Sequence, residues 1–100
     1  MKIQHQTNTL VLSEITELNA ANSAALCQDA RAALRDGITL VDVDLSQTRM
    51  IDSSGLGALI TLHKNMCTRG GGLRILNPAP NAQQILELTR LHRVFEIVHQ

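Results

Sequence analysis

The sequence predicts an α/β domain, with a mixed sheet of four or five strands and about three helices packed on it. Three observations carry this. Short β-branched or apolar runs at 38–45, 73–76 and 94–98 alternate with stretches that read as helices at 18–36, 54–69 and 80–90. The chain has 100 residues, the size of one domain around one core, so a single domain over 1–100 is expected. No internal repeat, low-complexity tract or linker interrupts it.

In chain order, residues 2–6 and 8–13 alternate apolar and polar side chains on either side of a turn at Thr7-Asn8, which suits a β-hairpin. Residues 18–36 read as the first helix. Leu26, Ala30, Ala33 and Leu34 form its apolar stripe, and Asp36-Gly37 supplies the stop. The run ITLVDVDL at 38–45 has the composition of a strand covered on at least one face. After a loop from Ser46 to Ile51, residues 54–69 read as the second helix. Leu56, Leu59, Ile60, His63 and Cys67 share one face there, widened by Leu62 and Met66. Gly70-Gly71-Gly72 ends it. LRIL at 73–76 is a short strand, Pro80 suits the first position of a third helix at 80–90, and VFEIV at 94–98 is the last strand.

Composition narrows the function classes. Lys plus Arg number 9 and Asp plus Glu number 9, so phosphate-backbone binding lacks its usual electrostatic drive. Phe95 is the only aromatic residue, which leaves no ring platform for stacking bases. Nucleic acid is therefore not an expected partner. No apolar stretch is long enough to cross a bilayer, and MKIQHQTNTLVLSEI contains no signal-peptide core, so a cytoplasmic location without membrane insertion is expected. Cys27 and Cys67 lie far apart and read as reduced, packed thiols. His5, His63, His92 and His99 are scattered without zinc-site spacing, and no metal or other cofactor is expected.

The most organised stretch runs from Leu40 to Gly57. A strand ends at Asp44, a short loop follows, and Asp52-Ser53-Ser54-Gly55 opens a helix. Asp and Ser make good N-caps because a side-chain oxygen accepts from a free first-turn N–H. Ser53 is read as the cap. Gly55 and Gly57 leave the first turn without bulk, its backbone open to a close partner. A phosphate on Ser54 would sit at the positive end of the helix dipole, so the modified domain could stay folded. The added charge would be repelled by, or desolvated in, a surface that had packed on the bare hydroxyl. A capping serine followed by glycines explains the same four residues without any modification.

The longer run from Leu40 to Val98 resembles the STAS domain, and within it the bacterial anti-sigma factor antagonists. The shared features are a strand ending in Asp44-Leu45-Ser46 and an apolar residue before Asp52-Ser53-Ser54-Gly55-Leu56-Gly57. A long helix, a glycine-rich break with the Leu73-Arg74-Ile75-Leu76 strand, another helix and the ending Leu91-His92-Arg93-Val94-Phe95-Glu96-Ile97 follow. The resemblance implies a STAS-like fold and a partner-switching regulator, not an enzyme. It implies that Ser54 is phosphorylated by a serine kinase, an anti-sigma factor with a histidine-kinase-like ATPase fold. The unphosphorylated chain binds that factor, phosphorylation releases it, and a PP2C-type phosphatase resets it. Asp44, Asp52, Ser53, Gly55 and Leu56 are the implied partner-binding surface around the acceptor. Two departures stand out. SEITEL replaces a turn found after the second strand of many members, and the sequence stops at Gln100, just after the last strand, where many members add a final helix. Bare surface left there could be covered by a partner or by a second copy in a homo-oligomer.

Other readings attach to the same residues. Within the same family, a non-phosphorylated adaptor of a lipid transporter or a stress-sensing scaffold would use the motif only as a docking corner. Ser54, Asp52 and either His63 or His92 name the parts of a nucleophile triad, but Ser54 is not in a G-x-S-x-G elbow and His63 is more than two turns away. His63 reads better as a packed, locally satisfied histidine. Asp42 and Asp44 share a strand face and could suggest Mg²⁺, but a strand end and loop cap explain them more simply. Arg69 and Arg74 read as exposed solubilising charges.

Overall fold

The computed structural model describes all 100 residues. Two strands open the chain, β1 (Lys2–Gln6) and β2 (Thr9–Ser13), paired antiparallel as the hairpin the alternation predicts. Thr7 makes the turn with φ of 41°, a conformation few non-glycine residues adopt outside tight turns. A two-residue strand β3 (Glu17–Leu18), helix α1 (Ser23–Ala33) and strand β4 (Leu40–Asp44) follow. Next come β5 (Met50–Ile51), α2 (Ser53–Thr68), β6 (Gly72–Leu76) and α3 (Pro80–Leu88). A short 3-10 turn at Leu91–Arg93 and β7 (Glu96–Val98) complete the chain.

The main sheet has five strands in the order β1-β2-β4-β6-β7. Every pair except the first hairpin is parallel, so the sheet is mixed, and helical crossovers join its parallel strands. β3 and β5 form a separate two-stranded parallel pair. In register across the main sheet, Leu10 faces Val41 and Val41 faces Leu73, while Leu12 faces Val43 and Val43 faces Ile75. These six are buried in one cluster with Leu26 and Ala30 of α1, Leu59, Leu62 and Met66 of α2, and Ala82 and Leu86 of α3. All three helices therefore lie on one face of the sheet. Side chains alternate across a strand, so the opposite face carries the row Gln4, Val11, Asp42, Arg74 and Glu96, register partners in turn.

Three expectations are corrected. The first helix spans Ser23–Ala33, not 18–36. Its proposed start is taken by β3 and by an asparagine-built turn, in which Ala21 N–H donates to Asn19 Oδ1 at 3.0 Å and Asn19 N–H to Asn22 Oδ1 at 2.9 Å. Such side-chain bonds compete with the helix for its first donors. At the other end Leu34 is already extended, with ψ of 134°, and Gly37 (φ 90°) serves the turn into β4. The buried stripe of α2 is also rotated from the predicted one. It runs through Gly55, Ala58, Leu59, Leu62 and Met66, while Leu56 and Ile60 are half-buried and Cys67 is exposed. Small Ala58 lets α1 come close, and the Cys27 thiol reaches the Ala58 carbonyl at 3.5 Å. Finally, Arg74 is no free surface charge. Its Nε and Nη2 donate to the two oxygens of Asp42, each at 2.7 Å, and that hydrogen bonding raises the Arg74 pKa. A carboxylate whose side chain is only 8% exposed is thereby paired on both oxygens.

Candidate functional site

Backbone geometry at the start of α2 sets the site. Asp52 is extended, with φ of −103° and ψ of −175°, and is the N-cap. Its Oδ1 accepts from Gly55 N–H at 2.9 Å. The expectation that Ser53 caps the helix is thus corrected: Ser53 is already the first helical residue, where its hydroxyl no longer stands over the first-turn amides. The second oxygen of Asp52 reaches outside the helix and accepts from Ala20 N–H at 3.1 Å, in the loop between β3 and α1.

Ser53 and Ser54 are both exposed on the first turn. With Gly55 N–H taken by Asp52, the Ser53 and Ser54 amides are the donors left at this end of the helix. The first turn holds no acidic residue, so Asp52 is the carboxylate nearest in sequence to the Ser54 hydroxyl. The arrangement suits an anion on Ser54: exposed oxygen, free amides and the positive end of a 16-residue helix.

The implied docking residues separate into two groups. Ser53 is exposed and Leu56 half-buried against the core. Asp44 is half-buried at the end of β4, where its Oδ1 accepts from Ser46 N–H at 2.8 Å and turns the chain toward β5. Gly55 is different. It is buried, and a β-carbon there would collide with the Leu18 carbonyl oxygen and come within 2.8 Å of Leu18 Cγ. The reading of Gly55 as backbone open to a partner is corrected: Leu18 of this chain fills that space. Gly57 is the glycine with open space beside it.

Sequence reasoning missed the other half of the surroundings. Ala20, tied to Asp52, gives no signal of its own, although the asparagines flanking it are turn formers. Met50 of β5 is 55% exposed, two residues before the cap. Beside it the exposed Arg49 reaches the half-buried Glu17 across the β3–β5 pair at 3.8 Å. Behind them the fully buried Thr48 hydroxyl donates to the Ile15 carbonyl and anchors the loop after β4.

The triad candidates are not brought together. His63 stands nine residues along the same helix from Ser54, about 13 Å by helical rise. Its ring packs edge-on against Phe95 at 5.5 Å, and its Nε2 lies 3.6 Å from Cys67 Sγ. The locally satisfied histidine expected there is only half right, because Nδ1 is buried without a partner. His92 Nδ1 lies 3.3 Å from the Leu86 carbonyl. Asp42 and Asp44 do share a strand face, but Arg74 and Ser46 N–H already occupy them. Arg69 donates to the Arg35 carbonyl. No helix is long and apolar enough to cross a membrane.

The STAS domain family model matches residues 1–100. A Thermotoga maritima protein named as an anti-sigma factor antagonist is 30% identical over 64 residues, which span 64% of this chain and 57% of that protein, little more than half its length. Among solved structures, an anti-sigma factor antagonist from Thermotoga maritima superposes with a TM-score of 0.89 at 23% identity, covering 99% of this chain and 85% of the other. SpoIIAA in its unphosphorylated form gives 0.86 at 17% identity, covering 99% and 86%. The Bacillus cell fate determinant SpoIIAA in its phosphorylated form gives 0.75 at 18%, covering 99% and 89%. At these identities the structural matches establish the fold: one α/β domain with three helices and a mixed five-stranded sheet.

Proposed function

The chain belongs to the STAS domain family, and from that membership and the exposed Ser54 we propose that it is a partner-switching regulator of the anti-sigma factor antagonist type. In this reading the unphosphorylated surface around Ser54 binds an anti-sigma factor that is also a serine kinase of histidine-kinase-like fold. Ser53, Leu56 and Asp44 contribute to the contact, while Asp52 and Gly55 hold the helix start in place from behind. The kinase supplies ATP and Mg²⁺. Ser54 Oγ attacks the γ-phosphorus, an O–P bond forms as the β–γ bridging bond breaks, ADP leaves and the hydroxyl proton passes to a base of the kinase. A PP2C-type phosphatase returns the serine. Regulation of a sigma factor in the cytoplasm is the output this reading assigns.

One observation carries the proposal: Ser54 is exposed on a first turn whose remaining amides tolerate a dianion, so charge can be added without unfolding the helix. The phosphorylated relative SpoIIAA supports it. Incubation with ATP and an anti-sigma factor kinase of its own organism should add one phosphate to the wild type and none to Ser54→Ala. In titrations with that kinase, Ser54→Ala should bind persistently and Ser54→Asp at least about tenfold more weakly, some 1.4 kcal/mol. Equal affinity of the two variants overturns the switch. No added phosphate favours the adaptor reading, in which the same corner docks unmodified.

A further inference from the structure

We propose that Asp52 is a positioning residue that couples the charge on Ser54 to the loop between β3 and α1, so that phosphorylation displaces this loop as well as labelling the helix. The inference rests on the reading of Ser54 as the phosphate acceptor.

The coupling is visible in how Asp52 is used. One carboxylate serves two elements distant in sequence: Oδ1 holds Gly55 N–H in α2, and Oδ2 holds Ala20 N–H, 32 residues earlier. Both bonds carry the negative charge of one group, so anything that moves or repels the carboxylate acts on both. A phosphate on Ser54 does so twice over. It places a dianion in the same helical turn, two residues from Asp52, and it offers oxygens that compete for the Gly55 amide. No cation lies in the first turn, Ser53-Ser54-Gly55-Leu56, to offset the repulsion.

Hydrogen bonds tie the loop into one unit. Asn19 and Asn22 lace it internally: Asn19 N–H donates to Asn22 Oδ1 at 2.9 Å, Ala21 N–H to Asn19 Oδ1 at 3.0 Å, and Asn22 Nδ2 to the Glu17 carbonyl at 2.6 Å. Its side-chain link to α2 is the single bond from Ala20 to Asp52. Ala20 and Ala21 are exposed and Ala20 is bonded to the Asp52 cap, so release of that bond alters the surface next to the helix start. Asp52 thus turns a change of charge into a change of shape.

Asparagine separates the two jobs. In Asp52→Asn the one oxygen can still cap Gly55 N–H, since Asn is a good N-cap, but the amide nitrogen cannot accept from Ala20. The test is amide NMR on the full chain with serine or phosphoserine incorporated at position 54, each in the wild-type background and in Asp52→Asn. Phosphoserine should move the Ala20 amide proton upfield, as its charged acceptor is lost, and leave Gly71 N–H at the far end of α2 unmoved. Asp52→Asn alone should reproduce the Ala20 shift, and phosphoserine should add nothing to it in that background. An Ala20 resonance that ignores phosphoserine, or one that responds equally in the Asp52→Asn variant, overturns the coupling. The kinase titration reads a separate quantity. A failed switch leaves the Ala20 result standing, and a failed coupling leaves the Ser54 affinities standing.

Discussion

Gly55 and Gly57 sit two residues apart on α2 under opposite constraints. At Gly55 a β-carbon meets the Leu18 carbonyl, which belongs to β3 and cannot move without breaking its pairing with β5. At Gly57 nothing lies within 4 Å of such a carbon. Gly55→Ala should therefore destabilise the domain by about 2 kcal/mol or more through overpacking, and Gly57→Ala should stabilise it by up to about 1 kcal/mol through helix propensity. Urea unfolding of the two variants reads the sign directly, and equal effects would remove the close-approach argument. The pair also shows what one residue type can hide. Both glycines look like open backbone in the sequence, because Leu18, which fills the first site, lies far back in the chain in a two-residue strand that no periodicity announces. Ser53 and Asp52 are ambiguous for a related reason. Either side chain can cap, and only the extended backbone at Asp52 decides.

Among the elements, the long periodic ones are legible in the sequence and the short ones are not. The hairpin and α2 follow from apolar spacing, β4 and β6 from short apolar runs, and α3 from the turn that ends at Pro80, because buried faces and helix starts impose those signals. β3 and β5 have two residues each and carry no pattern, yet they set the site by placing Leu18 under Gly55 and Met50 beside the cap. The first helix reads too long because Asn19 and Asn22, acceptable in a helical window, bond to the backbone here instead. The helix ends give a prediction at the same scale. α3 begins with Pro80 behind Ala79, whose φ of −60° and ψ of 158° suit an N-cap but whose side chain can accept nothing. Ala79→Ser should add about 0.5–1 kcal/mol of stability, since it supplies the missing oxygen. The bond from Ala79 N–H to the Leu45 carbonyl at 3.1 Å is a backbone bond and is retained. A melting temperature unchanged or lowered by this substitution would show that the α3 amides are already satisfied.

Across the whole molecule the sheet divides two kinds of work. One face is a dry seam of Leu, Ile and Val under three helices, and it does the folding. The opposite face bears charge on its central strands, and there the paired Asp42 and Arg74 join β4 to β6. Their energetic role follows from unequal burial: the Asp42 side chain is 8% exposed and the Arg74 side chain 30%. Arg74→Met leaves an almost buried carboxylate without its two donors and should cost about 3 kcal/mol. Replacing both, Asp42→Leu with Arg74→Met, removes the stranded charge along with the pair and should cost much less than the single change, because well-packed apolar residues can substitute for a buried pair. Moderate salt should leave the coupling largely intact, since the acceptor is shielded from solvent. Unfolding free energies for wild type, both single variants and the double variant close the cycle. A double variant less stable than Arg74→Met alone would overturn the stranded-charge argument, since removing Asp42 would then bring no relief. The expected order instead assigns Asp42 and Arg74 to fixing how β4 and β6 align, which places the end of β4, and the chain that leads from it to Ser54, at one end of the molecule.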